Sequence, residues 1–120
     1  MTIGFVGAGK MAAAIVEALI EHGAAAPDGI TASDVDPERL RSLADAHGVR
    51  TCPDNPSAAE GADVLFLAVK PQQLDAVLDE LAPHVADSHL VVSIAAGRTL
   101  ASLRRRLPAD AEISTGQRGE

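Results

Sequence analysis

Hydrophobic positions along this chain follow two rhythms. There are short apolar runs, and longer stretches in which apolar side chains recur every three or four residues. The runs at residues 3–6, 30–33, 49–52, 63–69 and 89–94 predict strands. The fourth is almost continuously apolar, so it is expected at the centre of a sheet covered on both faces. Between the runs lie the helical patterns. Met11, Ile15 and Leu19, with Ala12, Val16 and Ile20 beside them, predict a helix from about Lys10 that stops at Gly23. Asp36 is placed to cap a second helix, with Pro37 in its first position. Leu40, Leu43, Ala44 and His47 form the inner face of that helix, and Gly48 ends it. Leu74, Val77, Leu78 and Leu81 predict a further helix bounded by Pro83. Leu100, Leu103 and Leu107 predict another, capped by Thr99 and ended by Pro108. Residues 57–61 read as a single helical turn.

Strand followed by helix, repeated, requires right-handed crossovers and a parallel sheet. The expected fold class is α/β: a Rossmann-like, doubly wound parallel sheet in three αβα layers. Residues 1–108 are expected to form this one domain. Residues 109–120, polar apart from Ile113, read as a poorly ordered tail or a very short edge strand.

Composition narrows the picture. Hydrophobic residues make up 47%, yet there are only two Phe and no Trp or Tyr, so the core must be aliphatic. Seventeen acidic against ten basic residues give a net charge of −7, which argues against nucleic acid and anionic membranes as partners. No apolar run reaches membrane-spanning length, and the start lacks the basic region of a signal peptide. A cytoplasmic location is therefore expected. Cys52, the one cysteine, permits no internal disulfide, and His22, His47, His84 and His89 have no metal-ligand spacing, so no metal is assigned.

Ligands of doubly wound sheets bind beyond the carboxyl ends of the strands. The residues there are Gly7 to Met11, Ser33 and Asp34, Asn55, Lys70 and Pro71, and Ala95 to Gly97. The first group is a G-x-G-x-x-A turn, Gly7-Ala8-Gly9-Lys10-Met11-Ala12, after a strand and before a helix. Its first glycine permits the tight turn, its second removes a Cβ from the path of a pyrophosphate, and its small third residue lets helix and strand approach. A helix N-terminus adds free N–H groups and a positive dipole end. The pattern points to dinucleotide binding. Asp34 follows the second strand, where an acidic residue accepts from a ribose 2′-OH and disfavours a 2′-phosphate. Ser33 and Arg39 could instead favour the phosphate, so NADH and NADPH both stay open, with NADH slightly ahead. Lys10 and Lys70 read equally as cofactor contacts or solvated cations, and Asn55 equally as a contact or a turn residue. Ser93 lacks a His–Asp partner set and is not read as a nucleophile.

Three strand ends together suggest a family. Residues 4–12 (GFVGAGKMA), 66–72 (FLAVKPQ) and 91–97 (VVSIAAG) resemble the amino-terminal domain of delta-1-pyrroline-5-carboxylate reductase, and Ala32-Ser33-Asp34 and Asp54-Asn55 match in place. The resemblance runs from residue 2 to about residue 107. It implies reduction of pyrroline-5-carboxylate to proline, in proline biosynthesis, with NADH or NADPH. It also implies roles for the strand ends. Val6, Gly7, Ala8, Gly9, Lys10 and Met11 would hold the pyrophosphate. Ser33, Asp34 and Asn55 would flank the adenosine half. Ala68, Val69, Lys70 and Pro71 would line the nicotinamide ribose, and Ile94, Ala95 and Ala96 would lie beside the nicotinamide. Lys10 departs from the family's usual Asn or Gln. The family continues into a helical domain that builds the dimer and much of the substrate pocket. The chain is therefore expected to be a truncated cofactor half, inactive or weakly active alone, with its catalytic groups unknown and self-association possible. Two other readings stand beside it: a separate or degenerate NAD(P)-binding module without activity, and the cofactor half of another dehydrogenase such as a β-hydroxyacid dehydrogenase.

Overall fold

In a computed structural model of the chain, the described residues are 1–85, 90–94 and 105–107, with the backbone of 112–115. They contain six strands: β1 (Ile3–Val6), β2 (Ile30–Ser33), β3 (Arg50–Thr51), β4 (Val64–Leu67), β5 (Leu90–Ser93) and β6 (Glu112–Thr115). Four helices accompany them: α1 (Lys10–Glu21), α2 (Pro37–His47), α3 (Asn55–Glu60) and α4 (Pro71–Leu81). The strand order is β3-β2-β1-β4-β5-β6 and every pairing is parallel. The fold is the Rossmann-like αβα arrangement expected from the alternation of patterns. The order reverses between β1 and β4, and that reversal creates the crevice in which such sheets hold ligands.

Each face of the sheet has its own aliphatic core. Ile3, Phe5, Ile30 and Ala32 pack under α1 and α2 with Ala12, Val16 and Leu43. Val6, Leu65, Leu67 and Val91 pack under α3 and α4 with Ala58, Leu74, Leu78 and Leu81. All four leucine and valine positions read as the inner face of α4 are buried. In α1 the seam is shifted: Ala12 and Val16 are buried, whereas Met11 is 60% exposed. Among the described residues, the one aromatic contact stacks Phe5 on Phe66 with ring centroids 4.8 Å apart.

Helix ends follow the chemistry of their residues. Asp36 caps α2 by accepting from the Glu38 N–H at 2.9 Å, and Gly48 closes it at φ 74°. Beyond α1, Gly23 takes φ 71° and the Ala24 N–H closes onto the Leu19 carbonyl at 2.9 Å. Replacing Asp36 by alanine is expected to cost about 1 kcal/mol, the usual value of a lost cap, measured by denaturant unfolding. The turn expected at 57–61 starts earlier, at Asn55, because Asp54 accepts from the Ser57 N–H at 2.8 Å and Pro56 suits a first turn. Those bonds with Ser57 hold the Asp54 carboxyl below the usual carboxylate range. This cap is therefore complete at neutral pH and is lost as the carboxyl protonates in acid.

The third strand is only two residues long, both exposed. Of the two readings of the segment after 108, an edge strand is present at Glu112–Thr115, paired with β5. The sheet thus extends beyond the expected domain boundary at 108. The expected helix from Thr99 falls largely outside the described residues. At its end, Leu107 is buried against the α4 core, and Arg106 grips Asp79 of α4 at 2.8 Å. Among the described residues, no helix is long and apolar enough to cross a membrane.

Candidate functional site

A cleft of about 1300 Å³ opens at the carboxyl ends of the strands, over the reversal between β1 and β4. It is lined by Val6, Gly7, Ala8, Gly9, Lys10 and Met11 from the β1–α1 turn. Asp34 lines it from just beyond β2, Asn55 from the start of α3, and Ala68, Val69 and Lys70 from the segment after β4. Eleven of the sequence-derived candidates thus meet at one cleft.

The glycine turn is held from two sides. Gly7 lies at φ 103°, and its N–H donates to the Ser33 carbonyl at 2.8 Å. A Cβ on Gly7 would lie 2.5 Å from the Ala68 carbonyl oxygen, so no side chain fits beside the end of β4. Gly9 differs. Its φ is −79°, and a Cβ there would meet nothing within 4 Å. The protein itself does not need a glycine at position 9; the space in front of it is the cleft. Gly9 is also the N-cap of α1, which has no side-chain cap and no acidic residue in its first turn. Helices α2 and α3, by contrast, are capped by Asp36 and Asp54. A helix start without a carboxylate, facing open space across a glycine, suits an anion.

Asp34 is turned neither to solvent nor freely into the cleft. Its side chain is 5% exposed, with Oδ2 accepting from the Ala8 N–H and Oδ1 from the Asp36 N–H, each at 2.8 Å. It ties the glycine turn to the start of α2. Arg39 stands 3.9 Å from Asp34 and 3.7 Å from Asp36 and is half exposed.

Ser33 is buried and does not line the cleft; its hydroxyl donates to Asn55 Oδ1 at 2.7 Å. Asn55 in turn donates from Nδ2 to Glu80 on α4 at 2.8 Å. Lys10 and Lys70 are exposed residues at the starts of α1 and α4 and both line the cleft. Pro71, in the first position of α4, and the half-buried Ile94 are not among the lining residues. Ala95 and Ala96 lie outside the described residues. Cys52 donates to the Asp54 carbonyl at 3.3 Å, and burial pushes its thiol up, so it stays protonated and is a poor nucleophile.

Val35 escaped the motif-based reading. It lines the cleft and is 89% exposed, an aliphatic side chain between Asp34 and Asp36. An isolated apolar residue in an acidic turn, with no periodic partner, was the available signal. Met11 is likewise an exposed apolar side chain lining the cleft.

The chain matches the family described as NADP oxidoreductase coenzyme F420-dependent over residues 2–97. It is 43% identical over 100 residues to pyrroline-5-carboxylate reductase of Methanosarcina acetivorans, covering 83% of this chain and 37% of that protein. The solved pyrroline-5-carboxylate reductase of Coxiella burnetii superposes with a TM-score of 0.88 at 34% identity, over 95% of this chain and 42% of the other. A Plasmodium falciparum pyrroline carboxylate reductase solved with NADP bound superposes at 0.81 over 94% of this chain and 40% of that one; at 20% identity it shows the shared fold alone. The chain thus spans about two fifths of the length of these relatives.

Proposed function

The chain belongs to the family described as NADP oxidoreductase coenzyme F420-dependent, and we propose that it is the dinucleotide-holding part of an oxidoreductase that reduces 1-pyrroline-5-carboxylate to proline with NADH or NADPH. The observation that carries this reading is the uncapped start of α1 behind Gly9, open to the cleft at the strand-order reversal. The resemblance to pyrroline-5-carboxylate reductases supports the substrate.

The residues divide the work of holding the cofactor. The β1–α1 turn, with the N–H groups of α1 and the charge of Lys10, would take the pyrophosphate. Val35, Asn55 and the Asp34–Arg39 corner would take the adenosine half. Ala68, Val69 and Lys70 would take the nicotinamide ribose. A nicotinamide held in this cleft would supply hydride chemistry to the imine carbon, with a proton from outside these residues completing the amine; this chain's contribution is positioning.

The charges of Asp34 and Asp36 repel a 2′-phosphate, and Arg39, half exposed and already facing both carboxylates, offsets this only in part. NADH is therefore expected to bind several-fold more tightly than NADPH. Fluorescence titration of each reads this directly, because the chain has no tryptophan background. NADPH bound as tightly as NADH, or more tightly, would overturn the preference, and no binding of either would overturn the function. With pyrroline-5-carboxylate added, the 120-residue chain is expected to bind dinucleotide with little turnover. Robust turnover would show that its own residues complete the substrate site.

A further inference from the structure

Among the described residues of the cleft, Asn55 has its amide held from both sides by other side chains. Its Oδ1 accepts from Ser33 at 2.7 Å and its Nδ2 donates to Glu80 Oε1 at 2.8 Å. These two partners are not equivalent. A serine hydroxyl both donates and accepts, so Ser33 would satisfy the amide in either of its flipped orientations. An ionised carboxylate only accepts. With the amide turned over, Asn55 would point its oxygen at the Glu80 carboxylate, two acceptors facing each other. Glu80 therefore selects the orientation, and with it which Asn55 atoms remain for a ligand: one N–H and one oxygen lone pair.

Glu80 sits in the last turn of α4, exposed, and is not among the residues that line the cleft. Its bond to Asn55 joins the end of α4 to the start of α3, twenty-five residues apart in sequence. The carboxylate also makes this a charge-assisted bond, stronger than a neutral one.

We propose that Glu80 is a positioning residue for dinucleotide binding: it fixes the Asn55 amide so that Asn55 presents a set donor and acceptor to the adenosine half of the cofactor. This rests on the reading of the cleft as a dinucleotide site. Ligand contact belongs to Asn55; Glu80 acts through it and touches no cofactor.

The test compares Glu80→Ala with Glu80→Gln. Both remove the negative charge. Glutamine keeps an acceptor oxygen but adds an amide donor, so like Ser33 it satisfies Asn55 in either orientation and no longer selects one. The probes are NADH by fluorescence, and ADP-ribose and nicotinamide mononucleotide by calorimetry, with thermal unfolding of each variant alongside. Glu80→Ala is expected to weaken NADH and ADP-ribose three- to tenfold and to leave nicotinamide mononucleotide unchanged. Glu80→Gln is expected to weaken the same two ligands by a smaller factor, because it holds the amide without choosing its orientation; wild-type affinity in Glu80→Gln would overturn orientation selection. In an Asn55→Ala background, Glu80→Ala is expected to add nothing, as for two residues acting as one unit. Wild-type affinity in Glu80→Ala, or an equal loss with and without Asn55, would overturn the proposal while leaving the cleft's function standing. Failure of the wild type to bind NADH or ADP-ribose would overturn both. A loss shared equally by nicotinamide mononucleotide and tracking a fall in thermal stability would reduce Glu80 to a structural link and overturn the positioning role.

Discussion

Gly9→Val is expected to remove dinucleotide binding and leave the fold standing. The Cβ built at this position meets no protein atom within 4 Å, and the backbone at φ −79° accepts any L-residue. The cost to the protein is that of replacing glycine by a poor N-cap, about 1 kcal/mol or less. The cost to a ligand is larger, because the side chain stands where a pyrophosphate must approach the start of α1. Affinity for NADH should fall at least tenfold, equivalent to about 1.4 kcal/mol. Titration with NADH beside a thermal melt separates the two costs. Retained affinity would mean that the ligand does not pass Gly9, and a collapsed melt would mean that position 9 matters for folding. Gly7 cannot serve in this experiment. Its φ of 103° and its closeness to Ala68 mix strain with binding.

Gly4→Ala carries the opposite signature. Gly4 lies within β1, and a Cβ there would stand 2.3 Å from the Ala58 carbonyl oxygen and 3.1 Å from Leu65 Cδ1. The Leu65 side chain could yield, but the Ala58 backbone cannot rotate away. Helix α3 would have to lift from β1, and Ala58 and Ala59, its own buried residues, would lose their packing. Overpacking of this kind costs about 1–3 kcal/mol, and a backbone clash belongs at the upper end. That is a large share of the stability of about 5–15 kcal/mol typical of a single domain. Denaturant unfolding should show a clear fall in midpoint, with NADH affinity weakened too, because α3 carries Asn55. An unchanged midpoint would mean that α3 does not rest on β1 this closely.

The pattern of apolar and polar positions was enough to order the elements. Parallel strands covered by helices are written in local terms: continuous apolar runs, helical spacing, and Asp, Pro and Gly at helix ends. The expected caps at Asp36 and Gly48 are present because such chemistry acts within a few residues. The strand-end rule anticipated most of the residues that line the cleft for the same reason, since a parallel sheet brings every carboxyl end to one edge. The local patterns failed where a position depends on distant chain. Met11 fits the helical stripe, yet at the start of α1 it is exposed and lines the cleft instead of packing in the core. The short strand β3 gives little periodicity to read.

What the sequence determined by itself is the fold class, the strand ends that build the cleft, and the G-x-G-x-x-A turn at its centre, all encoded in residues close together along the chain. Only the tertiary structure decided how those residues are used. It showed that Gly4 is glycine because α3 lies on β1, whereas Gly9 faces open cleft. It showed that Asp34 is held by the Ala8 and Asp36 amides, and that the Asn55 side chain is hydrogen-bonded by both Ser33 and Glu80. Apart from the Asp36 amide, each of these depends on contacts between segments twenty or more residues apart, and the physical reason is the same in every case. A close approach or a buried hydrogen bond is a property of two surfaces brought together, and neither segment carries it alone.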